Sequence, residues 1–229
     1  MRDRPDPSTR TGRTPFSVDL VVVTPHERAL GILATQDSAP RGRDLWALPW
    51  ALPRNGEAIE SAARRLVRTH TGGEPAWMEQ IGAFGDGRRH PSGTALSICY
   101  LAVVPVGTRA RDPEAGVWTD SDPPPALGAR QREMLSSAIG ALRWRIDYAP
   151  IPFRLLPTHF TLSDLQRMYE LLLGRRLHKA SFRRALHAAW LVEPTDEWRT
   201  EGRGRPAQLF RFSPRKRRGH RRGVRFDLL

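Results

Sequence analysis

Hydrophobic positions follow two spacings along the chain, and each predicts its own kind of element. Val18 to Val23 is a short β-branched run, expected to break at Pro25, and Ala29 to Thr35 is a second; together they predict paired strands of a sheet. Turn residues dominate positions 38–47 around Trp46. From Glu57 to His70, small or apolar residues stand at 59, 62, 63, 66 and 67, the spacing of a helix with one buried side, and Gly72-Gly73 stops it. Ala95 to Val104 predicts another buried strand. Strands alternating around a strand-loop-helix segment predict an α/β/α sandwich for this half.

The Gly-, Asp- and Pro-rich positions 107–128 are expected to form a surface loop, and Ala129 to Ile146 a helix. A second Pro-rich segment, Tyr148 to Pro157, is expected to separate that helix from a last domain. There Leu162, Leu165, Tyr169 and Leu172 share one side of a helix from Thr161 to Leu173; Thr161 and Asp164 are close to a capping box, and Gly174 is the stop. After a turn at 175–178, Lys179 to Trp190 predicts a second helix. Phe182, Ala185, Leu186 and Ala189 share its inner arc, and Ser181, Arg183, Arg184 and His187 the other. Two helices across a short turn, the second offering donors on its free side, are how a recognition helix enters a major groove. Positions 201–206 then form a glycine turn carrying Arg203 and Arg205 ahead of an alternating strand. That predicts a wing whose arginines neutralise phosphates or enter a minor groove. The expected organisation is a disordered leader at 1–16, domains at 17–147 and 148–214, and a basic tail at 215–229.

Charge divides the chain. The net charge is +13, yet residues 1–125 hold 15 Arg, no Lys and 15 acids, so the whole excess lies beyond them. A neutral domain joined to a polyanion-binding one produces this split, and the helix pair makes double-stranded DNA the expected partner. Seven cations between Arg215 and Arg225 form either a solvated extension or a source of salt-sensitive, sequence-blind affinity. Ala95 to Val106 is too short to span a bilayer, and no apolar signal segment follows Met1, so no membrane association and a cytoplasmic location are expected. Cys99, the only cysteine, excludes an intrachain disulfide and reads as an inert buried thiol.

The segment from Leu48 to Gly73 resembles the Nudix box, the signature loop and helix of a family of diphosphate hydrolases. Leu48, Pro49, Gly56, Glu57, Ala62, Ala63, Arg65, Thr71 and Gly72 stand where that pattern has them. Leu66, Thr69 and His70 stand where it has three glutamates, and Trp50-Ala51 where the loop begins with glycine. Those glutamates would line one helical face and hold a hard divalent cation through oxygen ligands. Leucine offers no ligand, threonine a weak neutral one, and histidine a nitrogen suited to softer metals. No catalysis, metal or cofactor is therefore expected.

From about Phe16 to Pro214 the chain resembles the NrtR-like, Nudix-related transcriptional regulators of bacteria. The matching stretches are Val18 to Val22, Trp46-Ala47-Leu48-Pro49, and Phe84 to Gly93 with Arg89, Pro91 and Gly93. They continue with Gln166, Tyr169, Glu170, Gly174 and Phe182-Arg183-Arg184 in the helix pair, then Gly204-Arg205-Pro206-Ala207. The resemblance implies a Nudix-like sandwich followed by a smaller winged helix-turn-helix. In such proteins the first domain binds ADP-ribose or a related nucleotide and controls a homodimer that grips operator DNA, in many members as a repressor. Lys179, Ser181, Arg183, Arg184, His187, Arg203 and Arg205 are then the expected DNA contacts, and Trp46, Glu57, Arg65, Phe84 and Arg89 the expected ligand contacts. Each group has a bland alternative: Trp46 as core, Glu57 and Arg65 paired with each other, Arg183 and Arg184 as a solvated face. The chain departs from the family at His90 and Ser92, which replace an acid and an arginine, and at Arg130-Gln131, where relatives often carry Asp-His. Two other readings stay open: a hydrolase of a nucleoside diphosphate derivative relying on Glu57 and Glu60, and an RNA-binding or scaffold protein using the basic tail.

Overall fold

The computed structural model describes residues 16–26, 29–41, 44–85, 87, 90–111, 116–147, 149–200 and 206–213. Residues 1–15 of the expected leader, Arg89, Arg203, Arg205 and the tail lie outside them. The first domain is built on a seven-stranded mixed sheet around β1 (Phe16–His26). It pairs antiparallel with β2 (Ala29–Arg41) on one side and parallel with β6 (Leu96–Val103) on the other. β3 (Asp44–Ala47), β4 (Trp50–Ala51), β5 (Trp77–Phe84) and β7 (Val117–Asp120) complete it.

The continuous apolar runs have a simple cause: both faces of this sheet are buried, so period-2 alternation sends successive residues to two different cores. Val18, Leu20 and Val22 pack with Ala62, Ala63, Leu66 and Val67 of α1 (Ile59–Thr71). Val21 and Val23, with Cys99, Leu101 and Val103, pack with Met134, Leu135, Ala138 and Leu142 of α2 (Ala129–Arg145). This is the expected sandwich. Pro25 does not break β1, because it pairs with Leu30 at the hairpin end, where the missing donor costs little. The expected loop 107–128 contains β7, which extends the sheet beside β2 from Ala34↔Val117 to Gly31↔Asp120.

The Pro-rich separator is a correction. Ile151–Leu155 within it is a short helix, α3, with Ile151, Pro152, Phe153 and Leu155 buried. Proline near a helix start blocks no hydrogen bond, so composition there disguised a core element. Phe153 stacks on Phe212 with centroids 4.4 Å apart and lies 5.9 Å from Phe160. It also meets Tyr169 edge-on. These rings centre the second domain: α4 (Leu162–Leu173), α5 (Lys179–Ala189) and a three-stranded sheet ordered β8 (His159–Phe160), β10 (Ala207–Phe212), β9 (Val192–Arg199). One apolar cluster runs from the α2 side of the first sheet through α3 into α4 and α5. No helix among the described residues is long and apolar enough to cross a membrane.

Candidate functional site

The helix pair is held from both ends. Thr161 Oγ1 accepts from the Asp164 N–H at 3.1 Å while Asp164 Oδ2 accepts from the Thr161 N–H at 2.9 Å, a full capping box that starts α4. Arg199 of β9 donates to the same carboxylate at 2.7 Å, tying the strand to the helix start. Gly174 ends α4 at φ 68°, the left-handed conformation that glycine adopts without cost. Glu170 fixes the turn that follows: its carboxylate accepts from the Leu177 N–H at 2.9 Å and the Gln166 amide at 3.0 Å, and Gln166 also donates to the Leu177 carbonyl. Burial opposes ionisation of Glu170, but the Leu177 N–H, Gln166 and Arg176 outweigh it and hold the carboxyl below its usual range.

That clamp orients α5. Phe182 and Leu186 are fully buried, and Phe182 meets the Tyr169 ring at 5.5 Å. Lys179, Arg183, Arg184 and His187 are exposed. Lys179, Arg183 and His187 are four residues apart and form one row, while Ser181 is half-buried and hydrogen-bonds Arg184 beside that row at 3.3 Å. Such a helix can offer cations and donors to a groove without unpacking its core.

The box helix is arranged differently. Arg65 donates from Nε to Glu57 Oε1 at 2.8 Å and from Nη2 to Oε2 at 2.7 Å, and the Arg54 N–H adds a bond at 2.8 Å. The Arg65 guanidinium, then the Arg54 N–H, pull the Glu57 carboxyl down to about 2. Leu66 is buried, Thr69 donates to the Arg65 carbonyl, and burial lowers the pKa of His70. Among the described residues no group of three His, Cys, Asp or Glu could hold a metal ion. Leu66, Thr69 and His70 offer no carboxylate and Glu57 is engaged by Arg65, so these residues do not fit the hard divalent cation that the fold family implies.

Four of the expected ligand contacts are among the described residues. Glu57 and Arg65 lie with α1, whereas Trp46 and Phe84 pack against the core on the α2 side. The departures from the family pattern converge. His90 Nε2 stands 2.6 Å from Asp19 Oδ1 with both side chains fully buried. Gln131 Nε2 reaches the same oxygen at 3.4 Å, and Gln131 Oε1 accepts from the Leu48 N–H at 3.1 Å. Ser17 donates to Asp19 Oδ2, Ser92 bonds His90 Nδ1, Arg130 donates to the Thr94 carbonyl, and Trp50 meets the His90 ring edge-on. Asp19 was missed in the sequence. A lone acid inside an unbroken β-branched run was the signal available, since a buried carboxylate requires dedicated donors.

Comparison with known proteins agrees with this architecture. Residues 152–212 match the family model described as the NrtR DNA-binding winged helix domain. The ADPR responsive transcriptional repressor NtrR of Acinetobacter baylyi is 29% identical over an alignment of 205 residues that covers 86% of this chain and 82% of that protein. Among solved structures, Shewanella oneidensis NrtR complexed with a 27mer DNA aligns with a TM-score of 0.72 at 28% identity, covering 87% of this chain and 94% of that one. A MutT/nudix family protein from Enterococcus faecalis aligns with a TM-score of 0.66 over 89% of both chains; at 17% identity this shows the fold alone. With residues 152–212 matching the NrtR winged helix model behind a Nudix-type sheet, the chain is similar over most of its length to NrtR-like, Nudix-related transcriptional regulators.

Proposed function

We propose that the protein is a cytoplasmic, homodimeric transcriptional repressor that binds operator DNA through α5 and releases it in response to ADP-ribose or a related nucleotide. The observation that carries this is the two-sided character of α5, with Phe182 and Leu186 in the core and Lys179, Arg183, Arg184 and His187 outside. Arginine there pairs with guanine or clamps phosphate, and Ser181 supports Arg184. Arg203 and Arg205 add phosphate or minor-groove contacts. Responsiveness follows the naming of the Acinetobacter relative, and DNA binding the Shewanella complex.

The first domain is read as a sensor without hydrolytic activity, because Glu57 is engaged by Arg65 and three ligand positions hold Leu66, Thr69 and His70. Trp46, Glu57, Arg65, Phe84 and Arg89 are its proposed ligand contacts. Replacing Arg183 and Arg184 together with alanine should weaken specific operator binding by about 2 to 6 kcal/mol, roughly 1 to 3 for each lost base-reading contact. A gel shift on a footprinted operator measures it. Unchanged affinity would refute the placement of the groove face.

A further inference from the structure

A groove of about 570 Å³ opens between the end of α5 and the strands β9 and β10. Trp190, Val192, Pro194 and Phe210 give it an apolar lining, joined by His187 and Gln208. The described lining holds one acid, Glu193, and no lysine or arginine, so it does not suit a phosphate. Trp190 is 51% exposed and closes α5 in the left-handed conformation at φ 52°, the one such non-glycine residue described. Strain kept at a large exposed ring marks a contact surface rather than core packing. Trp198, 58% exposed, stands opposite Gln208 in the strand pair and continues the apolar strip on the same face. Among the described strands β9 is an edge, paired only with β10. It carries Glu193, Asp196 and Glu197, while its single cation, Arg199, is engaged by Asp164. Natural sheets cover or blunt such an edge.

Ser213 stands at the lip of this groove: its N–H donates to the carbonyl of Leu191, between Trp190 and Val192, at 3.0 Å. The residues that follow it complement both the groove and the edge. Seven cations stand between Arg215 and Arg225, and Val224, Phe226 and Leu228 alternate with Arg225 and Asp227, the period of a strand with one apolar side. Extended, residues 214–223 span roughly 33 Å, more than the roughly 26 Å of a strand as long as β9, so they can carry Val224 to any point along it. We propose that the groove is the docking site of the chain's own segment 224–228, with Phe226 and Leu228 against Trp190 and Phe210 and the arginine run laid across the acidic edge of β9. Held so, the cations cover carboxylates that would otherwise repel phosphates near the wing. The docking rests on no part of the regulatory reading.

The test uses the full chain without DNA and a fluorescein-labelled peptide of residues 214–229. In about 0.15 M salt, anisotropy should show saturable peptide binding to a chain carrying Phe226→Ala and Leu228→Ala. The wild-type chain should bind the peptide at least about tenfold more weakly, because a tethered segment competes at an effective concentration of about millimolar. Adding Trp190→Gly to the altered chain should weaken peptide binding about tenfold, the loss of one aromatic anchor; glycine adopts the left-handed conformation without strain, so the ring is lost and not the fold. Trp198→Ala, at an exposed strand position, should weaken it as well. Equal peptide binding by the wild-type and altered chains, or full affinity in both tryptophan variants, overturns the site. So does a peptide with Phe226→Ala and Leu228→Ala that binds as well as the natural one, since arginines on acids then suffice. Wild-type competition that fades on dilution also overturns it, because the segment then sits on a second copy.

Discussion

Replacing Glu57 with glutamine tests whether the surviving box glutamate is a structural staple. The pair it forms with Arg65 is two-pronged at 2.7 and 2.8 Å, and the side chains are 13% and 23% exposed. Exposed pairs contribute below about 1 kcal/mol and breaking a buried one costs about 3 to 5, so a half-buried pair falls between. A second bound follows from the carboxyl itself, lowered from 4.5 to about 2; full linkage of that shift would be about 3 kcal/mol, reduced by solvent screening. Glu57→Gln should therefore cost about 1 to 3 kcal/mol at pH 7, or roughly 3 to 10 °C in melting temperature. The sign with pH is fixed: a carboxyl depressed on folding stabilises fully above its unfolded value of 4.5 and loses that contribution as pH falls towards 2. The difference between wild type and variant should thus shrink to roughly 40% at pH 3. Urea unfolding followed by circular dichroism at both pH values measures it. A variant as stable as wild type at pH 7, or a penalty undiminished at pH 3, would refute the staple.

Three further outcomes follow from the same geometry. Phe182→Ala, at a fully buried ring beside Tyr169, should cost about 3 to 5 kcal/mol and abolish operator binding with it; near-wild-type urea unfolding would contradict the assignment of α5 to the core. Gly174→Ala places a side chain at φ 68° against Arg143 and should cost about 1 to 3 kcal/mol. In a double-mutant cycle Arg143→Ala should recover only the steric part, so strictly additive losses would show that the guanidinium does not lie there. Burial, reinforced by Asp19, pushes the Cys99 thiol well above its ordinary pKa; native protein at pH 8 should leave Ellman's reagent unreacted until urea is added, and rapid reaction would show that the sheet opens.

What could be read in advance was local. β1, α1, α4 and α5 declare themselves through periodicity and stops such as Gly72 and Gly174, because the residues that define each element are neighbours in sequence. α3 was hidden because its prolines resemble a linker, although Pro152 is buried at a helix start. β7 was hidden because four residues are too few to show alternation, and its existence depends on β2. The polar centre was illegible as a unit for a different reason. Asp19 and His90 are 71 positions apart and Asp19 and Gln131 are 112, so only the sheet brings them together. Alone, His90 and Gln131 read as departures from a family pattern and Asp19 as part of a matching strand; together they satisfy one another's hydrogen bonds in a place closed to water.

The same distinction bears on how a sensor of this design can act. α2 packs Met134, Leu135, Ala138 and Leu142 into the cluster that also takes in Phe153, Leu165, Tyr169 and Phe182, so the two domains share one apolar core. A shared core at close-packed density resists small sliding motions and favours discrete alternatives. A ligand shifts such a protein only by the difference in its affinity for the alternatives, so an effector buried wholly in the first domain would have to act through α2 or through the β1–β2 hairpin, both of which pack on α4. Arg143 offers a shorter route, because it extends from α2 to Gly174, where α4 ends and the turn to α5 begins. Under this arrangement, a Gly174→Ala chain that still folds should lose effector control of operator binding along with stability, because the contact joining sensor and reader is the one displaced. Normal operator release by nucleotide in that variant would place the coupling elsewhere in the shared core.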